Sequence, residues 1–175
     1  MKILVLTKRQ YMGRDLLDDR FGRFRELPLE LAKLGHEVRG ICLSYRPRPA
    51  GWLTDPAPEA KAAVSWLGVN LAGAVHYWVQ VKKSMEEFRP DVVWACSDAF
   101  HVVFGVWLAR RYGVPCVADL YDNFAAFAAT RWTGALPLFE RALGRAAGVT
   151  CFSRLMAVRV EQKYRPAGGV EIIES

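Results

Sequence analysis

The sequence predicts an α/β protein built on a doubly wound, mostly parallel sheet of about seven strands with helices on both faces. Three observations carry that expectation. Short apolar runs alternate with longer segments of helical periodicity along the whole chain, the pattern of βαβ units. The runs are apolar throughout, as in Lys2–Thr7 (KILVLT), which marks strands buried on both faces rather than half-exposed ones. Two of them stop abruptly in polar clusters, Ser97-Asp98 and Tyr121-Asp122-Asn123. In an open parallel sheet the crevice outside the carboxyl ends of the strands is where ligands bind. The whole is a Rossmann-like arrangement, and 175 residues make one domain the expectation.

Lys2–Thr7 is the first strand, and the charged, glycine-containing stretch from Lys8 to Phe21 is a loop. Phe24, Leu27, Leu31 and Leu34 recur at helical spacing, and Gly35 suits the position after the last turn. Glu37–Ser44 is the second strand. Tyr45–Pro58 is rich in proline and reads as an exposed loop. Ala62–Gly68 fits either a short third strand or a helix end. Leu71–Phe88 is a helix with Lys82, Lys83, Glu86 and Glu87 near its end. Asp91–Cys96 is a strand, Ala99–Tyr112 a nearly all-apolar helix closed by Gly113, and Pro115–Leu120 the next strand. Pro137 opens a helix reaching about Ala147, since proline is well placed at a first helical position. Val149–Phe152 is a strand, Ser153 caps a helix to about Tyr164, and Val170–Ile173 begins a seventh strand.

The chain is 52% hydrophobic and carries a net charge of +6. A basic balance admits nucleic acid, an anionic membrane surface or phosphorylated substrates as partners. No recognition pattern for nucleic acid accompanies the basic residues, so nucleic acid is not expected. The four cysteines at 42, 96, 116 and 151 fall inside predicted strands without a C-x-x-C pair, which argues against zinc or a disulfide framework and for buried thiols in a reducing cytosol. No metal and no cofactor is expected. The amino terminus lacks the pattern of a signal peptide. The apolar stretch Val64–Val81 is broken by Ser65, Asn70, His76 and Gln80, which a spanning helix would exclude.

The candidate catalytic residues are Asp122 and Asp98, carboxylates at strand ends where one could accept a proton from a substrate hydroxyl. Asp98 could equally cap the helix that follows it. His101, three residues on, either faces the crevice or packs. Tyr121 and Asn123 flank Asp122 as candidate substrate contacts. Neither G-x-G-x-x-G nor G-x-x-x-x-G-K-[ST] occurs, which weakens a dinucleotide or P-loop reading. Gly13 could still let backbone approach an anion ahead of the next helix, with Arg14, Arg20, Arg23 and Arg25 supplying charge; Gly13, Arg14 and Arg23 are the candidate substrate-binding residues of that loop. Basic residues and Trp52 in the amino-terminal half also suit an anionic membrane surface.

Four segments together resemble a known family. ELPLELAKLGHEVRGI (Glu26–Ile41), RPDVVWACSD (Arg89–Asp98), YGVPCVADLYD (Tyr112–Asp122) and ERALGRAAGVTCFSRLMAVRV (Glu140–Val160) resemble, in order, motifs of the GT-B glycosyltransferases, and among them the retaining family 4 of polysaccharide and lipid glycosyltransferases. Tyr121 stands where that family commonly has histidine, Gly148 where it often has aspartate, and the first loop lacks its Gly-Gly pair. The resemblance implies one half of a GT-B fold, the acceptor-binding amino-terminal domain over residues 1–175, with a carboxyl-terminal donor-binding domain outside this chain. It implies transfer of a sugar from a nucleotide-sugar, held through that other domain, to a glycan or lipid-linked acceptor, in the cytoplasm or at the inner face of the membrane. The chain alone would then be inactive. The alternative is a non-catalytic Rossmann-like module that binds a phosphorylated small molecule or a protein partner.

Overall fold

The structure is a computed structural model that describes residues 1–57, 62–124 and 134–174. The chain forms two compact units, Met1–Val92 and Val93–Ser175.

In the first unit, β1 (Lys2–Lys8) pairs in parallel with β4 (Glu37–Ser44), and β4 in parallel with β6 (Ala62–Asn70). β5 (Gly51–Ala57) pairs antiparallel with β6. The centre of β1 is buried from Ile3 to Thr7, as an all-apolar strand requires. The segment at 62 is therefore a strand. The second half of the proline-rich segment, read from sequence as loop, is also a strand. Pro56 has no N–H to donate, and an edge position tolerates that; Pro58 lies outside the described residues. The predicted first loop contains a small hairpin, β2 (Gln10–Tyr11) and β3 (Arg14–Asp15). Its two linking residues, Met12 and Gly13, have φ of 48° and 81°, the left-handed pair that a two-residue hairpin turn needs.

Helix α1 (Arg23–Lys33) buries Phe24, Pro28, Leu29 and Ala32. This face is rotated from the predicted one: Leu34 is 75% exposed, because it is the last residue before the chain turns at Gly35, φ 87°. The predicted helix over 71–88 is found as one 3₁₀ turn (Leu71–Gly73), then α2 (Ala74–Lys83), then a wider π turn (Ser84–Phe88).

The second unit is parallel throughout. β7 (Val92–Cys96), β8 (Cys116–Leu120), β9 (Gly148–Cys151) and β10 (Val170–Ile172) lie side by side in that order. Helices α3 (Ala99–Tyr112), α4 (Leu136–Leu143) and α5 (Arg154–Tyr164) connect them. The bounds of α3 and its closure by Gly113 (φ 69°) are as expected; α4 ends sooner than expected. The α/β class and the mostly parallel strands predicted from the sequence are both present. All four cysteines are buried, none in a disulfide, and burial pushes the Cys42 and Cys116 thiols up to about 12.

One close approach fixes the packing of the first unit. Gly40 in β4 lies opposite Trp66 in β6, and Trp66 is fully buried. A Cβ on Gly40 would fall 2.1 Å from atoms of that ring, so the indole occupies the place of the missing side chain. Gly40→Ala should therefore destabilise the protein by about 1–3 kcal/mol, the usual cost of overpacking a core. A thermal melt followed by circular dichroism measures it; an unchanged Tm would show that the indole moves aside without cost.

Candidate functional site

β8 delivers the site. Its residues Cys116, Ala118, Asp119 and Leu120 are buried, and the exposed polar cluster begins where the strand stops. Asp122 turns the backbone: its carboxylate Oδ1 accepts from the Asn123 N–H at 2.6 Å, and its carbonyl accepts from the Phe124 N–H at 3.0 Å. Phe124 is buried and anchors the turn, its ring edge-on to Tyr121 at 5.2 Å and to Phe139 of α4 at 6.1 Å. Rings at these separations and angles attract beyond their buried area. The anchored turn leaves Asp122 half-buried in the wall of a cleft of about 630 Å³. Asn123, Phe152, Ser153, Arg159 and Lys163 also line that cleft. Ser153 caps α5 by accepting from the Met156 N–H at 3.4 Å, which points the amino-terminal end of α5 at the site. An end of this kind favours negative charge, and Arg159 and Lys163 add cations further along the helix.

Asp98 and His101 are joined to each other and do not line that cleft. Asp98 is the N-cap of α3 and accepts from the His101 N–H at 2.9 Å; its Oδ1 also lies 2.7 Å from the His101 Nδ1. His101 is fully buried, under the carboxylate rather than on the surface. Before them Ser97 has φ 88°, a left-handed conformation that costs a non-glycine residue of order 1 kcal/mol and turns Asp98 into its capping position.

The candidate residues of the first loop lie in the other unit. Gly13 and Arg14 are exposed, and the Arg14 guanidinium sits 4.7 Å from the centre of the Phe21 ring. Arg23 is buried in the first turn of α1, which removes it from any solvent-borne anion. The sequence reading missed the ion pairs beside them. Arg9 is buried; its Nε donates to Asp15 at 2.8 Å, its Nη2 to Asp18 at 2.7 Å and its Nη1 to the Pro49 carbonyl at 2.6 Å. Arg25 donates twice to Asp55, at 2.6 and 2.9 Å. Arg48 stands 3.5 Å from Asp18. Also missed was Asp119, buried inside β8 and accepting from the Thr150 hydroxyl of β9 at 2.6 Å. An aspartate within an apolar run was the available signal. Among the described residues no three His, Cys, Asp or Glu side chains gather to hold a metal ion, and no helix is long and apolar enough to cross a membrane.

Comparison with known proteins bears out the resemblance read from the motifs. The chain superimposes on HepE of Anabaena, solved in complex with UDP, with a TM-score of 0.55 and 19% identity over 99% of this chain and 44% of that one. A structure from E. coli described as trehalose-6-phosphate bound with UDP-2-fluoro glucose gives 0.48 and 11% over 98% and 48%. The chain thus spans less than half the length of either. The fold is that of a glycosyltransferase-like domain of the GT-B type. A family model for the glycosyl transferase 4-like domain matches residues 23–174, and the chain belongs to that family. A search of curated proteins by sequence found no match.

The Arg9–Asp15 pair makes a testable contribution to stability. Burial pushes the Asp15 carboxyl up, but hydrogen bonds from Arg9 and from the Asp18 and Leu17 N–H groups outweigh it and hold the carboxyl below its ordinary value. A carboxyl lowered on folding stabilises the protein above the unfolded value of about 4, and that stability is lost as pH falls through the lower folded value. Asp15→Asn should cost about 2 kcal/mol at pH 7, because it takes one of two carboxylates from a buried guanidinium and weakens a charged hydrogen bond. The gap to the unmodified protein should narrow below about pH 4. Urea titrations across pH measure this; a gap constant down to pH 2 would remove the electrostatic account.

Proposed function

We propose that this chain is the acceptor-binding half of a glycosyltransferase that moves a sugar from a nucleotide-sugar to a hydroxyl of a glycolipid, polysaccharide or other glycan. The observation that carries the reading is Asp122, set in a cleft wall at the carboxyl end of a parallel strand, the position where open α/β sheets bind ligands. Family membership supports transfer chemistry. The UDP in HepE supports a nucleoside diphosphate as the carrier of the sugar. The match over 44% of HepE supports a second, donor-binding domain that follows this one in the complete protein. Four buried cysteines outside any disulfide fit a reducing compartment, the cytoplasm.

The chemistry assigned to this half is deprotonation and orientation. The acceptor hydroxyl hydrogen-bonds to the Asp122 carboxylate, which takes its proton as the oxygen bonds to the anomeric carbon. The bond from that carbon to the diphosphate oxygen breaks, and the nucleoside diphosphate leaves. Asn123 and Tyr121 flank the carboxylate. Apolar walls at Phe152 and Leu155, with Arg159 and Lys163 beside them, suit an acceptor with both an apolar and an anionic part. Asp98 caps α3 and holds the His101 ring.

Two measurements test this reading. In the complete enzyme, Asp122→Asn should lower kcat by about 10²–10⁴-fold, the usual worth of a general base, with an unchanged thermal melt; near-normal turnover would take the role away from Asp122. The isolated chain should show no sugar transfer and little heat of binding with UDP- or GDP-sugars in calorimetry, since the donor contacts lie in the other domain. Tight binding by this chain alone would overturn the assignment of halves.

A further inference from the structure

Asp119 is buried in β8, where an apolar residue would serve the strand better. Aspartate is a poor strand former, and a buried carboxylate is costly unless hydrogen bonds satisfy it. Thr150 stands directly opposite in the parallel register with β9, and its hydroxyl donates to the Asp119 Oδ1 at 2.6 Å. A hydroxyl-to-carboxylate bond this short is roughly twice as strong as a neutral one. Replacing both members of such a pair by apolar groups of the same shape is nearly neutral for stability. The pair therefore adds little that apolar packing could not supply, except a fixed geometry.

That geometry bears on the cleft. Asp122 stands three residues beyond Asp119, and Ser153 three residues beyond Thr150. Just past the pair, the Phe152 N–H donates to the Leu120 carbonyl at 3.2 Å. β8 then gives way to the Asp122 turn, and β9 to the Ser153 cap of α5. Asp122, Asn123, Phe152 and Ser153 all line the cleft, two from each strand end. The last contacts between β8 and β9 thus set these two parts of the wall relative to each other, and the Asp119–Thr150 bond is among them.

We infer that Asp119 and Thr150 are positioning residues for the transfer reaction: their hydrogen bond locks the ends of β8 and β9 together and holds the Asp122 carboxylate in its working place opposite Ser153. This role rests on the reading of Asp122 as the base. A base must lie within hydrogen-bond reach of the hydroxyl that it deprotonates, and a displacement of about 1 Å can cost on the order of 10²-fold in rate. Asp119, being fully buried, acts through Asp122 and not on the acceptor.

In the complete enzyme, Thr150→Val removes the hydroxyl at unchanged shape and should lower kcat about 10–100-fold, with the KM for the nucleotide-sugar unchanged. Thr150→Ser keeps a hydroxyl and should recover most of that loss. Gly40→Ala, which weakens the fold in the other unit, should leave kcat unchanged. Added to Asp122→Asn, Thr150→Val should cost little more, because changes that act through one group are not additive. Amide hydrogen exchange in this chain alone reads the geometry without any reaction. The Asn123 and Phe124 N–H groups bond to Asp122; Thr150→Val should speed their exchange about tenfold or more, and neither Thr150→Ser nor Gly40→Ala should. Normal kcat in Thr150→Val, an equal loss in Thr150→Ser, or unchanged exchange at Asn123 and Phe124 would overturn the inference. Near-normal turnover in Asp122→Asn would instead sink the reading of Asp122 itself; faster exchange in Thr150→Val would then still support the pair as what holds that turn.

Discussion

A strand held between two parallel neighbours and covered on both faces can carry almost no polar atom that its neighbours do not satisfy, and that constraint decides where this chain keeps its chemistry. β8 lies between β7 and β9. Its one polar side chain, Asp119, is tolerated because Thr150 on the adjoining strand donates to it. Apart from that pair, the polar side chains along β7, β8 and β9 wait for the strand end. Ser97-Asp98, Tyr121-Asp122-Asn123 and Ser153 are each the first polar residues after an apolar run. The cleft beside Asp122 thus follows from burial: the strands cannot be polar where they pack, so their polar residues gather where they stop.

The first unit obeys the same constraint with charges. Arg9 is as buried as a core leucine, and an isolated guanidinium there would be prohibitively costly. Asp15, Asp18 and the Pro49 carbonyl surround it and tie the hairpin to the proline-rich segment. Net charge is blind to this arrangement. The +6 of the whole chain counts Arg9 and Arg25 equally with Arg141 and Arg145, though the first two face carboxylates and the last two are exposed.

What could be read from the sequence followed from period and punctuation. The all-apolar runs, Gly35 and Gly113 after helices, and Ser153 before one locate most strands and helices to within a few residues, because each signal is local. Asp122 beside a cleft was legible for the same reason: a polar cluster closing a buried strand has few other places to be. The failures were tertiary. Proline in Tyr45–Pro58 reports a weak strand former but not that the strand is an edge with one partner. The spacing of Phe24, Leu27, Leu31 and Leu34 in α1 suggests a face, but the packing surface of β5 and β6 keeps only Phe24 of that set fully buried and adds Pro28, Leu29 and Ala32. Whether Asp98 meets solvent or a helix N–H depends on the left-handed turn at Ser97, a backbone state that serine does not advertise. The partners of Arg9, Arg25 and Arg48 are set by long-range folding, so these residues read alike in one dimension.

The indole of Trp66 in the space above Gly40 makes the two positions a single unit of variation. Neither can drift independently: a side chain at 40 is admissible only where the residue at 66 has become small, and a smaller residue at 66 leaves a void that a side chain at 40 would fill. Changes at the pair should be strongly non-additive, each mending part of the damage done by the other. Among relatives of this domain the two columns should trade volume, so that the sum of the two side chains stays nearly constant while the identities change.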